Sequence, residues 1–104
     1  MDASKLAIRI NANPVFEAGG KNGNLRIENI PQNRYDMVVS VTLDDTGETI
    51  YRSPLIHPNQ YVEYADLGVS LGSGIYRATA LFEAFDSDGA PAGRVQAGIK
   101  ITIS

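Results

Sequence analysis

The sequence predicts an all-β fold, an antiparallel β-sandwich of about seven strands. Apolar and polar residues alternate with a period of two through most of the chain, and this period is typical of half-buried strands. Residues that favour turns, mainly Gly, Pro, Asn and Asp, separate the alternating runs. The 104 residues match the length of one domain, so residues 1–104 are predicted to fold around a single core without disulfides.

The first half of the chain is predicted to contain four strands, at 5–13, 24–30, 35–43 and 50–53. A stretch rich in glycine and asparagine separates the first two, and it is expected to form a loop around Val15 and Phe16. The third is the clearest strand, because its odd-numbered residues from Tyr35 to Leu43 are all apolar. Residues 44–48, with the sequence DDTGE, predict the hairpin loop that joins it to the fourth strand.

The second half is predicted to contain three strands, at 61–71, 76–85 and 95–103. A β-turn is expected at 57–60, because Pro58 presets φ at the second turn position and Asn59 tolerates the left-handed region. Residues 86–93 are rich in Asp, Gly and Pro and are expected to form a loop. One face of 76–84 and the odd-numbered residues of the last strand are predicted to face the core.

Two glycines around Ser73 resemble a phosphate-binding loop, but no lysine follows Gly72 or Gly74 and a strand follows instead of a helix. The glycines therefore predict a tight corner. Tyr76 comes directly after this corner on the penultimate strand, which is the position of the tyrosine corner in Greek-key sandwiches. Its hydroxyl is expected to bond to the backbone a few residues upstream. Together with the seven alternating strands, this pattern predicts an Ig-like or fibronectin-III-like sandwich.

Composition excludes several classes of partner. The formal charge of −3 and the scattered Lys and Arg residues argue against nucleic acid. No apolar run approaches the roughly 20 residues of a membrane span, so no membrane insertion of this segment is expected. The first residues lack the pattern of a signal peptide, so no export signal is expected within this chain.

Neither a metal site nor a catalytic site is predicted, and no cofactor is expected. Residues 86–89, DSDG, resemble the start of a calcium loop, but the later carboxylates are missing. Like the acidic residues of 44–48, they are explained by turn chemistry, although the sequence does not decide whether either loop binds calcium. His57 is the only histidine and lies in a turn, and no GxSxG sequence is present. The protein is therefore predicted not to be an enzyme.

Tyrosine and arginine are favoured at recognition surfaces, and the middle of the chain is enriched in both. Tyr61 and Tyr64 are expected on opposite faces of their strand. The charged residues of the outer strand faces, among them Arg26, Glu28 and Glu63, are expected to form cross-strand ion pairs. The loops that could contact a partner are 17–24, 44–48, 57–60 and 86–93. The candidate binding residues are Tyr51, Arg52, His57, Asn59, Tyr61 and Tyr64.

The span 24–85 resembles a known type of module. It reads as a strand, DDTGE, IYRS, a Pro-Asn turn and then LGSGIYRA, an order of the form L-x-x-G-x-Y-x-A. In this order it is similar to small exported Ig-like or fibronectin-III-like β-sandwich modules of Gram-positive bacteria, and more weakly to BsuPI-type proteinase-inhibitor domains. The resemblance covers about three-fifths of the chain, and no catalytic residue is implied by it.

The resemblance implies a non-enzymatic binding or structural module that acts through its loops or a sheet edge. Its partner would be a protein or a glycan, and its location extracellular or at the bacterial cell envelope, with the cytoplasm as the alternative. Two other functions stay open, a proteinase-inhibitor-like domain and a carbohydrate-binding module. A homodimer formed through sheet edges is a further alternative.

Overall fold

The computed structural model describes residues 6–104, which contain seven β-strands, a short 3₁₀ turn and no α-helix. The predicted all-β class is therefore confirmed. The strands are β1 Val15–Phe16, β2 Ile27–Asn29, β3 Asp36–Leu43, β4 Thr49–Arg52, β5 Gln60–Val62, β6 Gly74–Phe85 and β7 Pro91–Ile103, with the 3₁₀ turn at Pro31–Asn33. They form a five-stranded sheet in the order β1-β7-β6-β3-β4 and a two-stranded sheet of β2 and β5.

One strand pair in the larger sheet is parallel, so the prediction of a purely antiparallel fold is wrong there. β1 runs in the same direction as the end of β7, with Phe16 opposite Ile103. The backbone amides of Lys100 and Thr102 donate to the carbonyls of Ala12 and Pro14 at 2.9 and 3.0 Å. Because β1 and β7 lie at opposite ends of the sequence, no tight hairpin forces them to be antiparallel.

Val15 and Phe16 form β1 instead of the expected loop. The Phe16 ring is fully buried, and a Cβ added at Gly23 would lie 2.0 Å from its Cε2 atom. Only glycine leaves room for the ring at that position. The glycine-rich stretch predicts a loop, but Gly23 within it is needed for the packing of the buried Phe16 ring.

The strand predicted at 5–13 is not a regular strand in its described part. Leu6 is buried and Ile8 and Ile10 are half-buried, as the alternation predicts, but the only ladder contact is an isolated bridge between Arg9 and Glu28. A side chain takes the place of a partner strand for Ala7: its amide donates to Oδ1 of Asn33, and its carbonyl accepts from Nδ2 of Asn33, both at 3.0 Å. Residue 5 lies outside the described residues.

The boundaries of two other elements differ from the prediction. β5 ends at Val62 instead of continuing to residue 71, because residues 65–68 bond to two other segments, the loop of residues 20–23 and β4. Gly23 and Ala65 exchange backbone bonds, the Leu67 amide donates to Gly20, and the Gly68 amide donates to Ile50. At the other end, β7 begins at Pro91, so the predicted loop of 86–93 is shortened to the turn before that residue.

Both sheets contribute side chains to one hydrophobic cluster, which agrees with the predicted inward faces of 35–43, 76–84 and 95–103. Its fully buried members come from β1, β2, β3, β4, β6 and β7 and from the segments beside them. They include Phe16, Leu25, Ile27, Met37, Val39, Val41, Ile50, Ala80, Phe82 and Ile101.

The glycine corner has the hydrogen bond that the sequence predicts. The Tyr76 hydroxyl donates to the Gly72 carbonyl at 2.8 Å, and the ring packs against the hydrophobic cluster. Gly74 has φ of 150°, and Ser73 Oγ donates to the carbonyl of Ser104 at 3.0 Å. The stretch around Ser73 is thus a structural corner that ties the start of β6 to the end of the chain.

Candidate functional site

The outer face of the two-stranded sheet presents the most exposed tyrosine of the described residues. Ile27 and Val62 pair with each other and point to the core, so their neighbours Glu28 and Tyr61 point to solvent. The Tyr61 side chain is 68% exposed. The Arg26 amide donates to the Glu63 carbonyl at 3.1 Å, which sets these two residues side by side next to the Glu28–Tyr61 pair. We call Arg26, Glu28, Tyr61 and Glu63 the tyrosine surface.

The tyrosine surface encloses a shallow depression of about 340 Å³, with Ile27 at its floor. A second depression of about 450 Å³ adjoins it, since Arg26 and Glu28 line both. Arg9 lies in the second depression, so the face carries two guanidinium groups and two carboxylates around one exposed ring. Such a mixture of an aromatic ring and charged hydrogen-bonding groups suits recognition of a polar partner.

The charged groups of this surface are not paired with one another, so the expected cross-strand ion pairs are wrong. Within residues 6–104 the only ion pair closer than 4.0 Å joins His57 and Asp36. The head groups of Arg26, Glu28 and Glu63 therefore lie in solvent and are available to a ligand. Arg26 also has a left-handed backbone with φ of 50°, an unusual conformation for a non-glycine residue.

Tyr51, one of the predicted binding residues, exposes little surface to a partner. It lies on β4 and is only 8% exposed, because its side chain points into the hydrophobic cluster. Burial raises the pKa of the Tyr51 phenol above its ordinary value. Arg52, the next residue, is exposed and donates from Nη1 to the Ser40 hydroxyl at 3.2 Å. Both residues belong to the five-stranded sheet, whereas Tyr61 lies on the two-stranded sheet.

The turn at 57–60 leads directly into β5 and is bonded to residues of two neighbouring strands, β2 and β3. Asn59 has the expected left-handed backbone, with φ of 73°, and its amide donates to the Asn29 carbonyl at 2.6 Å. His57 is exposed, and its Nδ1 lies 2.7 Å from Oδ1 of Asp36. These contacts hold the turn that precedes Tyr61 against Asn29 and Asp36.

Tyr64 is 58% exposed, so both candidate tyrosines of this region face solvent. The strand ends at Val62, and residue 64 lies in a bend. The alternation on which the expected opposite faces depended therefore does not extend to Tyr64, because it stops where the strand stops.

The acidic loops are organised by turn contacts. Oδ1 of Asp86 accepts from the amides of Asp88 and Ala90 at 2.9 and 3.0 Å, and Oδ1 of Asp44 accepts from the Thr79 hydroxyl at 2.8 Å. Among residues 6–104, no group of three or more His, Cys, Asp or Glu side chains is arranged to hold a metal ion. One oxygen of each of these aspartates thus has a structural role in its loop.

Sequence reasoning missed Arg26, Glu28 and Glu63 as parts of a candidate site. The alternation of 24–30 does place Arg26 and Glu28 on the polar face of their segment. What the alternation does not show is that β2 pairs with β5, and this pairing brings both residues beside Tyr61. The pairing joins segments separated by about thirty residues, so no local pattern reports it.

Comparisons with known proteins find no relative: no family model, no curated protein and no solved structure matches the chain. The part of the chain described by the structure contains no helix long and apolar enough to cross a membrane. The choice of the tyrosine surface as the candidate site therefore rests on its own residues, an exposed tyrosine beside charged side chains.

Proposed function

We propose that this protein is a non-enzymatic binding module that holds a protein partner on the tyrosine surface. The observation that carries the proposal is the exposure of Tyr61, a large ring that is 68% exposed on a strand paired with β2. Tyr and Arg are the residues most often found at the energetic centres of protein interfaces. Arg26 stands beside the ring without an ion-pair partner among the described residues, so it can bind a carboxylate of the partner.

The proposal includes an Ig-like or fibronectin-III-like sandwich and a role at the bacterial cell envelope or in a secreted protein. The architecture is supported by the cluster that both sheets share and by the bond from Tyr76 to Gly72. The location rests on the resemblance of residues 24–85 to exported modules. A backbone that is already hydrogen-bonded in a sheet has less conformational entropy to lose on binding, which suits a recognition domain.

The test begins with a photocrosslinking amino acid at position 61, in place of Tyr61, and at position 75, in place of Ile75. Ile75 is the matched control, because it is 66% exposed on the five-stranded sheet. A partner captured from envelope and secreted fractions at position 61 alone is then purified and titrated calorimetrically. We expect Tyr61→Ala to weaken binding by roughly thirtyfold, the loss typical of a central interface tyrosine. Equal affinity for Tyr61→Ala and the unchanged protein would contradict the proposal.

Carbohydrate binding is the second candidate, favoured by the depression in which an aromatic ring adjoins Glu28, Glu63 and Arg26. Sugar hydroxyls can donate to the carboxylates and accept from the guanidinium group. A glycan array distinguishes the two candidates: binding of a defined glycan that is lost in Tyr61→Ala would favour the carbohydrate-binding function. Stoichiometric inhibition of a subtilisin-like protease, unaffected by Tyr61→Ala, would favour an inhibitor that uses another surface.

A further inference from the structure

The outer edge of β7 is the longest unpaired strand edge of the described residues. β6 covers the inner edge of β7 along its whole length. On the outer edge, β1 pairs only with Thr102 and Ile103, and the bond from the Lys100 amide to Ala12 extends the contact slightly. From Pro91 to Ile99, no strand within residues 6–104 lies beside this edge.

The direction of the free backbone groups follows from the bonds at the end of β7. The amides of Lys100 and Thr102 point away from β6, because they donate to Ala12 and Pro14. The register with β6 is continuous from Gly93 to Ile103, so every second residue repeats this orientation. The amides and carbonyls of Arg94, Gln96 and Gly98 therefore point outward, and none of them has a hydrogen-bond partner among the described residues.

We propose that two copies of this chain pair their β7 edges antiparallel about a two-fold axis at Val95, which joins the two five-stranded sheets into one continuous sheet. The length of the free edge argues for a second copy as the occupant. It is blocked beyond Ile99 by the segment that contains Ala12, and at its other end by Pro91, which has no amide proton. Val95 lies at the middle of this stretch, so the free edge of one copy matches the free edge of another.

The register about Val95 is self-complementary. Arg94 of each copy lies opposite Gln96 of the other, and both residues carry outward backbone groups, so each pair exchanges two backbone hydrogen bonds. The guanidinium group faces an amide and not a second cation, which avoids like charges directly opposite each other. On the core side the two Val95 side chains meet, and Val95 already packs half-buried beside Leu6 and Ala84.

The features that hinder pairing of an edge strand with another chain lie at one end of this edge. Pro91 and the register shift beside Phe85 interrupt pairing next to the turn, and Gly93 follows with φ of 150°. Beyond them, Arg94 is the only charged residue before Lys100. Arg94, Val95 and Gln96, around the proposed axis, lie beyond these interruptions, and no strand within residues 6–104 pairs with their outer edge. The tyrosine surface lies on the other sheet, so the dimer carries two copies of it and the inference does not depend on the proposed function.

The test measures the mass of the full chain by sedimentation equilibrium over a range of protein concentrations. The unchanged protein should approach twice the 11.2 kDa of one chain. Gln96→Pro removes an amide proton that points away from β6, so the ladder with β6 stays intact, and Gln96→Ala is the control that keeps the proton. We expect Gln96→Pro to weaken the dimer at least tenfold, with an unchanged circular dichroism spectrum, and Gln96→Ala to remain dimeric.

A monomer at every concentration of the unchanged protein would overturn the inference, as would a Gln96→Pro protein that dimerises as strongly as the unchanged one. If Gln96→Pro fails to fold, hydrogen exchange on the unchanged protein decides. The amides of Arg94, Gln96 and Gly98 should become more protected as the concentration rises, whereas concentration-independent exchange at these three amides would refute the pairing.

Discussion

The two sheets use their tyrosines in different ways. In the five-stranded sheet, Tyr51 is buried in the core and the Tyr76 hydroxyl bonds to the Gly72 carbonyl. Beside and on the two-stranded sheet, Tyr64 and Tyr61 lie in solvent and make no hydrogen bond within residues 6–104. The first pair therefore contributes to the free energy of folding, whereas the side chains of the second pair are exposed.

The sheets also differ in how their backbones are held. β6 pairs with β3 on one side and with β7 on the other, along long ladders. The two-stranded sheet has a ladder of only three residue pairs and depends on buried side-chain amides. Asn29 is fully buried, and its Nδ2 donates to the carbonyls of Tyr35 and Ile56 at 2.8 and 2.9 Å, while its Oδ1 accepts from Nδ2 of Asn33 at 3.1 Å. Hydrogen bonds from buried side-chain amides thus hold the backbone around the small sheet, whereas strand pairing holds the backbone of the large sheet.

The largest expected effect comes from breaking this amide network. Asn29→Ala removes three buried hydrogen bonds, those from Nδ2 to the Tyr35 and Ile56 carbonyls and the one that Oδ1 accepts from Asn33. We expect it to lower the free energy of unfolding by about 2–3 kcal/mol. Urea denaturation measures the change. Asn13→Ala is the control, because Asn13 is exposed and its side chain makes no hydrogen bond within residues 6–104, and it should change stability by less than about 0.5 kcal/mol. Equal values for the two variants would show that the small sheet does not need the network.

A smaller change in the free energy of unfolding is expected when matched tyrosines of the two regions are replaced. Tyr76→Phe removes the bond to the Gly72 carbonyl and should cost about 1 kcal/mol of unfolding free energy. Tyr61→Phe removes a hydroxyl that has no partner among the described residues and should leave stability unchanged. The same urea titration measures both variants. If Tyr61→Phe proved as destabilising as Tyr76→Phe, the division between structural and recognition tyrosines would fail.

The smallest effect concerns alkaline pH. Burial raises the pKa of Tyr51, so the folded protein holds this proton at pH values where the unfolded chain has begun to lose it. The contribution of Tyr51 to stability is complete below the ordinary tyrosine pKa of about 10 and decreases as the pH rises through the folded value. Unfolding curves from pH 8 to 11 should therefore decline less steeply for Tyr51→Phe. An identical decline for Tyr51→Phe and the unchanged protein would contradict the predicted burial effect.

Alternation predicts the core faces of β3, β6 and β7 well, because each is a long strand with one apolar face. It predicts the corner at Tyr76 for a similar reason, since a glycine turn followed by tyrosine is a local signal. It fails at β1, which has two residues and depends on a distant strand, and at the segment from Leu6, where an asparagine side chain replaces a neighbouring strand. Of the candidate site, the sequence predicts Tyr61 as a binding residue, but it does not predict that charged side chains lie beside it.

The sequence by itself determined that the protein is all-β, which side chains of its longest strands are buried, and where its tightest corners lie. These properties follow from side-chain period and turn chemistry, which act between residues close in the chain. Only the tertiary structure decided that β1 runs parallel to β7, that β2 meets β5 to assemble the tyrosine surface, and that no strand of residues 6–104 pairs with most of the outer edge of β7. Each of these depends on contacts between distant segments, and their pairing is chosen by the packing of the whole core.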